Sequence, residues 1–153
     1  MPRSLDPRIV TVWRVQGAVV PLVLAVAVLV AGLRVDALPG PTGLIPAVIL
    51  VVGGALALVV PALAYRHWRY TIADTTLELR HGVVVRTESS IPYFRVQHID
   101  VTAGPVDRLC GVARLVVRTA SASTDATIPG IAAGDADALR QLILERVGTG
   151  DAV

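Results

Sequence analysis

The sequence predicts a membrane α-hairpin followed by one small α+β domain, and three observations indicate this. Residues 15–33 and 43–65 are long apolar segments without a single charged side chain. Within residues 66–134, apolar and polar positions then alternate, as in antiparallel strands with one buried face. Residues 135–147 return to helical spacing. We therefore expect two transmembrane helices, an antiparallel sheet structure and a C-terminal helix that caps it.

Four segments follow from these patterns. Residues 1–14 form a basic head, residues 15–65 the two-helix hairpin, residues 66–148 the domain and residues 149–153 a short tail. Hydrophobic residues make up 54% of the chain, and the excess over an ordinary soluble domain lies in the hairpin. The domain is long enough for one compact core but not for two.

Each apolar segment is long enough to cross a bilayer as an α-helix. The 19 and 23 residues, at about 1.5 Å rise each, would span roughly 28 and 34 Å. The hydrocarbon core of a bilayer is about 30 Å thick. A signal peptide is the less favoured interpretation, because its apolar core is usually about 7 to 15 residues long and here a second span follows within ten residues.

Charge indicates which side of the membrane the ends occupy. Three arginines precede the first helix and two follow the second, whereas the connecting loop balances one arginine with one aspartate. The positive-inside rule therefore predicts both termini in the cytoplasm. Amphipathic rings and arginines settle at the headgroup level. The residues expected there are Trp13, Arg14, Tyr65, Arg66, Trp68 and Arg69.

Several function classes are disfavoured by composition. From residue 66 onward the chain has ten arginines and ten acidic residues, so a nucleic-acid surface is not expected. Neither span contains an ionisable residue, so a proton relay or ion pathway lacks its usual groups. The single Cys110 excludes an intrachain disulfide and is interpreted as a small buried apolar residue.

The strands of the domain are predicted from period-two patterns. Pairs of apolar residues two positions apart predict three short strands: Tyr70 with Ile72, Leu77 with Leu79, and Val83 with Val85. Further strands are expected over residues 97–102, 113–119 and 125–128, with a helical turn over residues 105–110. Together these form an antiparallel meander.

The last segment has an apolar stripe made by Leu139, Leu142, Ile143 and Val147, and Gly148 is expected to end the helix. This stripe has two interpretations, a lid on the sheet or an anchor on the membrane surface. The opposite face mixes both signs of charge rather than being rich in arginine, which favours the lid.

An enzyme is not expected. The three histidines are scattered, and the chain has no metal-protease, CxxC, nucleophile-elbow or glycine-rich phosphate motif. His98 and Asp100 share a strand face, but a solvated strand face explains this pair better than a metal or acid–base site. No catalytic, cofactor-binding or metal-binding residue is assigned.

Three sequence motifs support a family resemblance. Ile91-Pro92 precedes RVQHI at residues 95–99, DRLCGV follows at residues 107–112, and a strand ends at residues 118–120. Their order and spacing, with a two-helix hairpin in front, resemble the bacterial pleckstrin-homology (PH) domain of YdbS-like membrane proteins. Residues 120–124, between two predicted strands, depart from the glycine-rich turn often found there in the family. The conformation of this β-hairpin turn is therefore left open.

The resemblance implies a PH-like fold, in which two roughly orthogonal antiparallel sheets form a sandwich or partly open barrel capped by the C-terminal helix. It implies a binding function rather than catalysis. It also implies a bacterial plasma membrane as the location and, besides the lipid bilayer, a protein partner that is a larger membrane relative with several PH-like domains. A second copy of the chain is left open as another partner. Specific phosphoinositide binding is not expected, because the loop at residues 73–76 contains no cation.

The candidate partner-binding residues are Tyr93, Phe94 and Arg95. Adjacent rings point in different directions on almost any backbone, and exposed aromatic residues beside arginine are typical interface anchors. The alternative is that one ring enters the core while the other lies against the bilayer. The predicted function is a membrane-anchored module for protein interaction or assembly; the alternative is an accessory subunit of a transport or envelope-stress complex that acts through its hairpin.

Overall fold

The computed structural model describes residues 3–34, 43–121 and 124–150, with residues 149–150 described by their backbone alone. The predicted hairpin loop from residue 35 to residue 42 lies outside this range, as do the last three residues of the predicted tail. Contacts divide the chain into two compact units. The helical unit is Val10–Ala62, and the sheet unit combines Met1–Ile9 with Leu63–Val153.

Two long helices, α1 (Ile9–Arg34) and α2 (Leu44–His67), open the chain, and both are long and apolar enough to cross a membrane. Each helix extends beyond its predicted span at an end that carries charged residues. An apolar pattern predicts only the apolar part of a helix, whereas the backbone hydrogen bonds can continue into the charged residues beside it. Within the helical unit, α1 and α2 approach closely where Gly53 faces Pro21. A Cβ on Gly53 would lie 2.2 Å from the Pro21 Cβ.

The sheet unit contains two separate three-stranded antiparallel sheets. The first sheet consists of β1 (Arg69–Ile72), β2 (Thr76–His81) and β3 (Thr87–Pro92). The second sheet consists of β4 (Val96–Thr102), β5 (Val112–Thr119) and β6 (Ala126–Ala132). A 3-10 turn, Tyr93–Arg95, joins the sheets, and the short helix α3, Pro105–Leu109, joins β4 to β5. The sheets stay open rather than closing into a barrel, and their strand order agrees with the predicted PH-like fold.

Helix α4 (Ala136–Gly150) packs against β4, β5 and the 3-10 turn. Its residues Leu139 and Ile143 are buried in the same core as Leu115 and Ile128 of the second sheet. The helix is thus a lid on the sheet, as predicted. It continues past Gly148 because this glycine keeps helical geometry instead of the left-handed conformation that ends a helix.

The predicted strand over Val83 and Val85 is wrong. These residues belong to an exposed loop between β2 and β3, and the third strand begins only at Thr87. Its first four residues are polar, and only Ile91 among its members is buried. β3 is an edge strand, and its backbone hydrogen bonds to β2 hold it in place. Its side chains do not alternate between apolar and polar, so the sequence pattern does not reveal it.

The predicted N-terminal head is divided between the two units: residues 1–9 belong to the sheet unit, and residues 10–14 belong to the helical unit. Arg3 pairs with Tyr70 through two backbone hydrogen bonds, of 2.7 and 3.1 Å, and Asp6 N–H donates to the Gly130 carbonyl oxygen at 2.7 Å. Ile9 is fully buried. Gly130 has a φ of +63°, and a Cβ there would lie 2.5 Å from the Ile9 Cβ. The start of α1 and the end of α2 therefore meet in one unit.

A local ion pair sets the turn that leads into α1. The Asp6 carboxylate accepts the Arg8 backbone N–H at 2.9 Å and lies 2.7 Å from the Arg8 guanidinium. The side-chain hydrogen bond from Arg8 is the main cause of a lowered pKa at Asp6. Asp6 followed by Pro7 is a typical start of a helix, because the carboxylate satisfies a free N–H and proline needs none.

Candidate functional site

The 3-10 turn Tyr93–Arg95 is fixed by the first of its side chains. Tyr93 is 2% exposed. Its hydroxyl donates to the Ala73 carbonyl oxygen at 3.0 Å, and its N–H donates to the Thr75 carbonyl oxygen at 3.1 Å. Burial raises the pKa of the Tyr93 hydroxyl, against a lowering by the Arg146 cation. The ring therefore stays neutral and ties the turn to the loop between β1 and β2.

Of the three predicted partner-binding residues, the turn presents two. Phe94 is 67% exposed, and the Arg95 guanidinium carbon lies 5.6 Å from the centre of its ring, within cation–π range. Tyr93 is not an exposed anchor, so that part of the prediction is corrected. Its ring enters the core because its hydroxyl finds a backbone acceptor there, and consecutive side chains then point apart.

The strand register locates Phe94 within the sheet unit. β3 ends at Pro92, which pairs with Thr76, whereas β1 begins at Arg69, which pairs with Arg80. The first sheet therefore has two ends: the chain enters from α2 at one of them, and Phe94 lies just beyond the other. A rigid aromatic ring with a cation over it can enter an apolar pocket that has an acidic rim.

Two predicted membrane-interface residues, Trp13 and Arg14, lie in the helical unit. Trp13 is half-buried and lines an apolar groove between α1 and α2 of about 680 Å³. Arg14 is exposed, and its Nε donates to the Leu58 carbonyl oxygen at 3.4 Å. Their position in a membrane interface stays a prediction.

Two further predicted interface residues, Tyr65 and Arg66, lie in the last turn of α2. Arg66 is exposed, and Tyr65 is half-buried with its hydroxyl donating to the Leu5 carbonyl oxygen at 3.1 Å. This hydrogen bond joins the N-terminal segment to the end of the second span, 60 residues later. Tyr65 thus has a structural partner that the sequence did not indicate.

Trp68 and Arg69 have structural partners as well. The Trp68 ring is buried and stacks on His81, with the ring centres 5.7 Å apart. It is therefore a core residue of the sheet unit, and its position at the headgroup level stays a prediction. The Arg69 guanidinium donates to the Trp68 carbonyl oxygen at 2.6 Å, so it binds a free carbonyl group just past the end of α2.

The DRLCGV motif has a structural explanation. Asp107 is buried, accepts the Gly104 N–H at 2.9 Å and lies 3.0 Å from the Arg114 guanidinium. Gly111 has a φ of +67°, which favours glycine and turns the chain into β5. These residues hold α3 against the second sheet.

His98 and Asp100, which share β4, have different surroundings. Asp100 forms an ion pair with Arg118, at 3.2 Å, while His98 is exposed. In the described ranges, no group of three histidine, cysteine or acidic side chains is close enough to hold a metal ion.

Two exposed apolar features were missed by the sequence reasoning. Leu109, the last residue of α3, is exposed, and so are the valines at residues 83–85. Gly82, directly before the valines, was the available signal for a loop there. Period-two spacing alone was misleading, because a loop can contain three consecutive apolar residues.

Comparison with known proteins agrees with the hairpin and the sheet unit together. The family model of the bacterial PH domain matches residues 15–147. The transmembrane protein YdbS of Bacillus subtilis is 28% identical over 143 residues, which cover 92% of this chain and 89% of that protein. No solved structure is significantly similar to the chain.

Proposed function

Because this chain belongs to the bacterial PH domain family, we propose that it is a membrane-anchored binding module which recruits a protein partner at the cytoplasmic face of the bacterial plasma membrane. The protein is membrane-associated, as its transmembrane relative and its two long apolar helices indicate. The proposal adds that α1 and α2 cross the bilayer as a hairpin. The proposal includes no catalytic step.

The topology of the proposal is supported at both ends of the hairpin. Arg3 and Ile9 precede the first span and pack in the same unit as the strands that follow the second. Both ends of the hairpin are therefore on one side of any membrane that it crosses. The excess of arginines at these ends favours the cytoplasmic side.

Phe94 is the observation that carries the proposal. This exposed aromatic ring lies beside an arginine and is presented by a turn that Tyr93 holds in place, and aromatic and arginine side chains are enriched at protein interfaces. Its position at the far end of the first sheet favours a protein over the bilayer as its contact. Preorganised aromatic and arginine side chains supply much of the affinity of protein interfaces.

The chemistry of Phe94 and Arg95 suggests the partner's surface. Phe94 needs an apolar pocket, and Arg95 needs a carboxylate near its rim. The family resemblance implies a larger membrane relative with several PH-like domains as the partner, and a second copy of this chain is the alternative. Both would be confined to the same membrane, which raises their effective concentration.

Photo-crosslinking in native membranes tests the proposal. A photoreactive residue at position 94 is expected to give one discrete protein adduct, and the same residue at exposed Thr87 is expected to give none. Adding Arg95→Glu should weaken the adduct. Leu109→Ala removes an exposed apolar residue elsewhere in the sheet unit. It is the control and should leave the adduct at position 94 unchanged. Lipid adducts alone at position 94 would refute the proposal.

The second candidate function assigns the activity to the hairpin, as an accessory subunit of a transport or envelope-stress complex. The groove between α1 and α2 favours it, because its apolar lining includes Val20, Leu24 and Val52 and could receive a partner helix. Exchanging the hairpin for an unrelated one distinguishes the candidates. The adduct at position 94 should survive this exchange if the sheet unit binds the partner.

A further inference from the structure

Three consecutive valines form the tip of the loop between β2 and β3, and the fold leaves them in solvent. Val84 is 94% exposed and Val85 is 76% exposed. Gly82 closes the loop with a φ of +113°, and a Cβ there would lie 1.9 Å from the Val85 carbonyl oxygen. The loop thus has a tight, specified shape that directs apolar side chains outward.

This valine loop, Val83–Val85, lies at the end of the first sheet where the chain arrives from the second span. Arg69, the first residue of β1, pairs with Arg80 near the end of β2. Trp68, which follows α2, stacks on His81. An extended chain covers at most about 3.5 Å per residue, so Val84 lies within about 10 Å of His81. If α2 leaves the bilayer at its last turn, the loop is close to that surface.

Charge around the loop favours a lipid surface. Arg80 and Arg86 flank the loop, and Arg69 pairs with Arg80 across the sheet. Arg66 lies three residues before Arg69. Among these arginines, Arg80 forms an ion pair with Glu88 in the described sheet unit. Cations beside apolar side chains are typical of segments that bind anionic membrane interfaces. Valine, by contrast, is under-represented among the residues that dominate protein interfaces.

From these observations we propose that the valine loop inserts into the interfacial region of an anionic lipid leaflet, as a third membrane contact beside α1 and α2. This inference rests on the membrane insertion of the hairpin proposed above. It assigns the two ends of the first sheet to different contacts, the loop to lipid and Phe94 to protein. The insertion needs no specific headgroup, since the valines enter the acyl boundary and the arginines attract any anionic lipid.

Depth-dependent fluorescence quenching of the full chain tests this inference. In a Cys110→Ser background, which removes the one native thiol, a cysteine at position 84 carries an environment-sensitive fluorophore. Thr75→Cys is the matched control, because Thr75 is exposed at the opposite end of the same sheet. Val23→Cys reports insertion of α1. Each protein is reconstituted in phosphatidylcholine vesicles with and without phosphatidylglycerol, using lipids with a nitroxide at the headgroup or deep in the acyl chain.

Shallow nitroxides are expected to quench the label at position 84 several-fold more than the label at position 75. Quenching at position 84 should increase further when the vesicles contain phosphatidylglycerol. Arg86→Gln should reduce this dependence on anionic lipid. Because Val84 makes little contact with the rest of the unit, its replacement leaves the fold intact.

Four results would overturn the inference. If position 84 is not quenched while position 23 is quenched by deep nitroxides, the loop does not insert, although the hairpin does. If position 23 is not quenched, the membrane topology of the proposed function fails as well. Equal quenching at positions 84 and 75, or protection of position 84 from an aqueous quencher without quenching by lipid, would indicate a flat-lying sheet unit or a second copy on the loop.

Discussion

Two adjacent aromatic residues differ in their surroundings because of one hydroxyl group. Tyr93 is buried with its hydroxyl on the Ala73 carbonyl oxygen, while Phe94 remains in solvent. The sequence showed that the two rings would separate, but it did not show which one the core would take. That choice depends on Ala73, whose carbonyl oxygen comes within reach only when the loop between β1 and β2 has folded.

We expect Tyr93→Phe to lower the free energy of unfolding by about 1 kcal/mol, the usual net value of one hydrogen bond. It should also change the dependence on alkaline pH. Burial raises the pKa of the hydroxyl above its ordinary 10.0 in the folded protein. Its contribution is therefore complete below that value and is lost as pH rises through the folded pKa.

Urea unfolding at neutral and alkaline pH measures this effect through the fluorescence of buried Trp68 in a Trp13→Phe background, which removes the second tryptophan. Part of the alkaline loss of stability should disappear in Tyr93→Phe, and an unchanged alkaline profile would contradict the expectation. Phe94→Leu, at an exposed position, is the control and should leave both midpoints nearly unchanged.

Secondary-structure elements were predictable from the sequence where burial creates a pattern, and not elsewhere. β2, β5 and α4 each have an apolar face, and all three lie where they were expected. β3 is an edge strand with four polar residues at its start, so its place is set by hydrogen bonds to β2. The valines were taken for a strand because local spacing cannot distinguish buried residues from exposed ones.

The contact between Gly130 of β6 and Ile9 should be sensitive to a single methyl group. Gly130→Ala would place a Cβ 2.5 Å from the Ile9 Cβ, at a backbone φ that alanine rarely adopts. We expect the N-terminal segment to be displaced, with a loss of about 2 kcal/mol from strain and lost burial. Hydrogen exchange should increase at Asp6, whose N–H donates to the Gly130 carbonyl oxygen, and at Tyr70, whose N–H donates to the Arg3 carbonyl oxygen. Gly134→Ala, at a glycine whose added Cβ has nothing within 4 Å, is the control.

The whole molecule consists of two units, and the sequence indicated their content better than their boundary. The head carries arginines typical of a membrane flank, so it was interpreted as a separate segment, whereas its residues contribute a β-bridge and a buried isoleucine to the sheet unit. Pairing with Tyr70 and Gly130 depends on residues far along the chain, which no local pattern reveals.

Two units should unfold in two separable transitions, and Asp107→Ala should affect only one of them. This change removes the acceptor of the Gly104 N–H and one member of a buried ion pair. We expect a loss of about 2 kcal/mol for the sheet unit, seen as a lower urea midpoint for Trp68 fluorescence in detergent. The helical unit, followed by the circular dichroism that remains after this transition, should unfold at the same urea concentration as in the unchanged protein.

Glu88→Ala is the control for this experiment, because it removes a carboxylate from an ion pair that is exposed on both sides. Such pairs contribute at most about 1 kcal/mol. A single transition that shifts as a whole in Asp107→Ala would contradict the division into two units.

The pairing of the N-terminal segment with β6 constrains the order of events during synthesis. Arg3–Ile9 leaves the ribosome before Gly130, to which Asp6 binds and which is made about 120 residues later. At about 5 to 20 residues per second, this interval lasts roughly 6 to 24 s. In the proposed topology, both spans emerge during that time while the segment is unpaired, so its arginines, and not its packing, would orient the first helix. Completion of β6 would then fix that orientation, because moving the segment across the membrane would require the finished sheet unit to open.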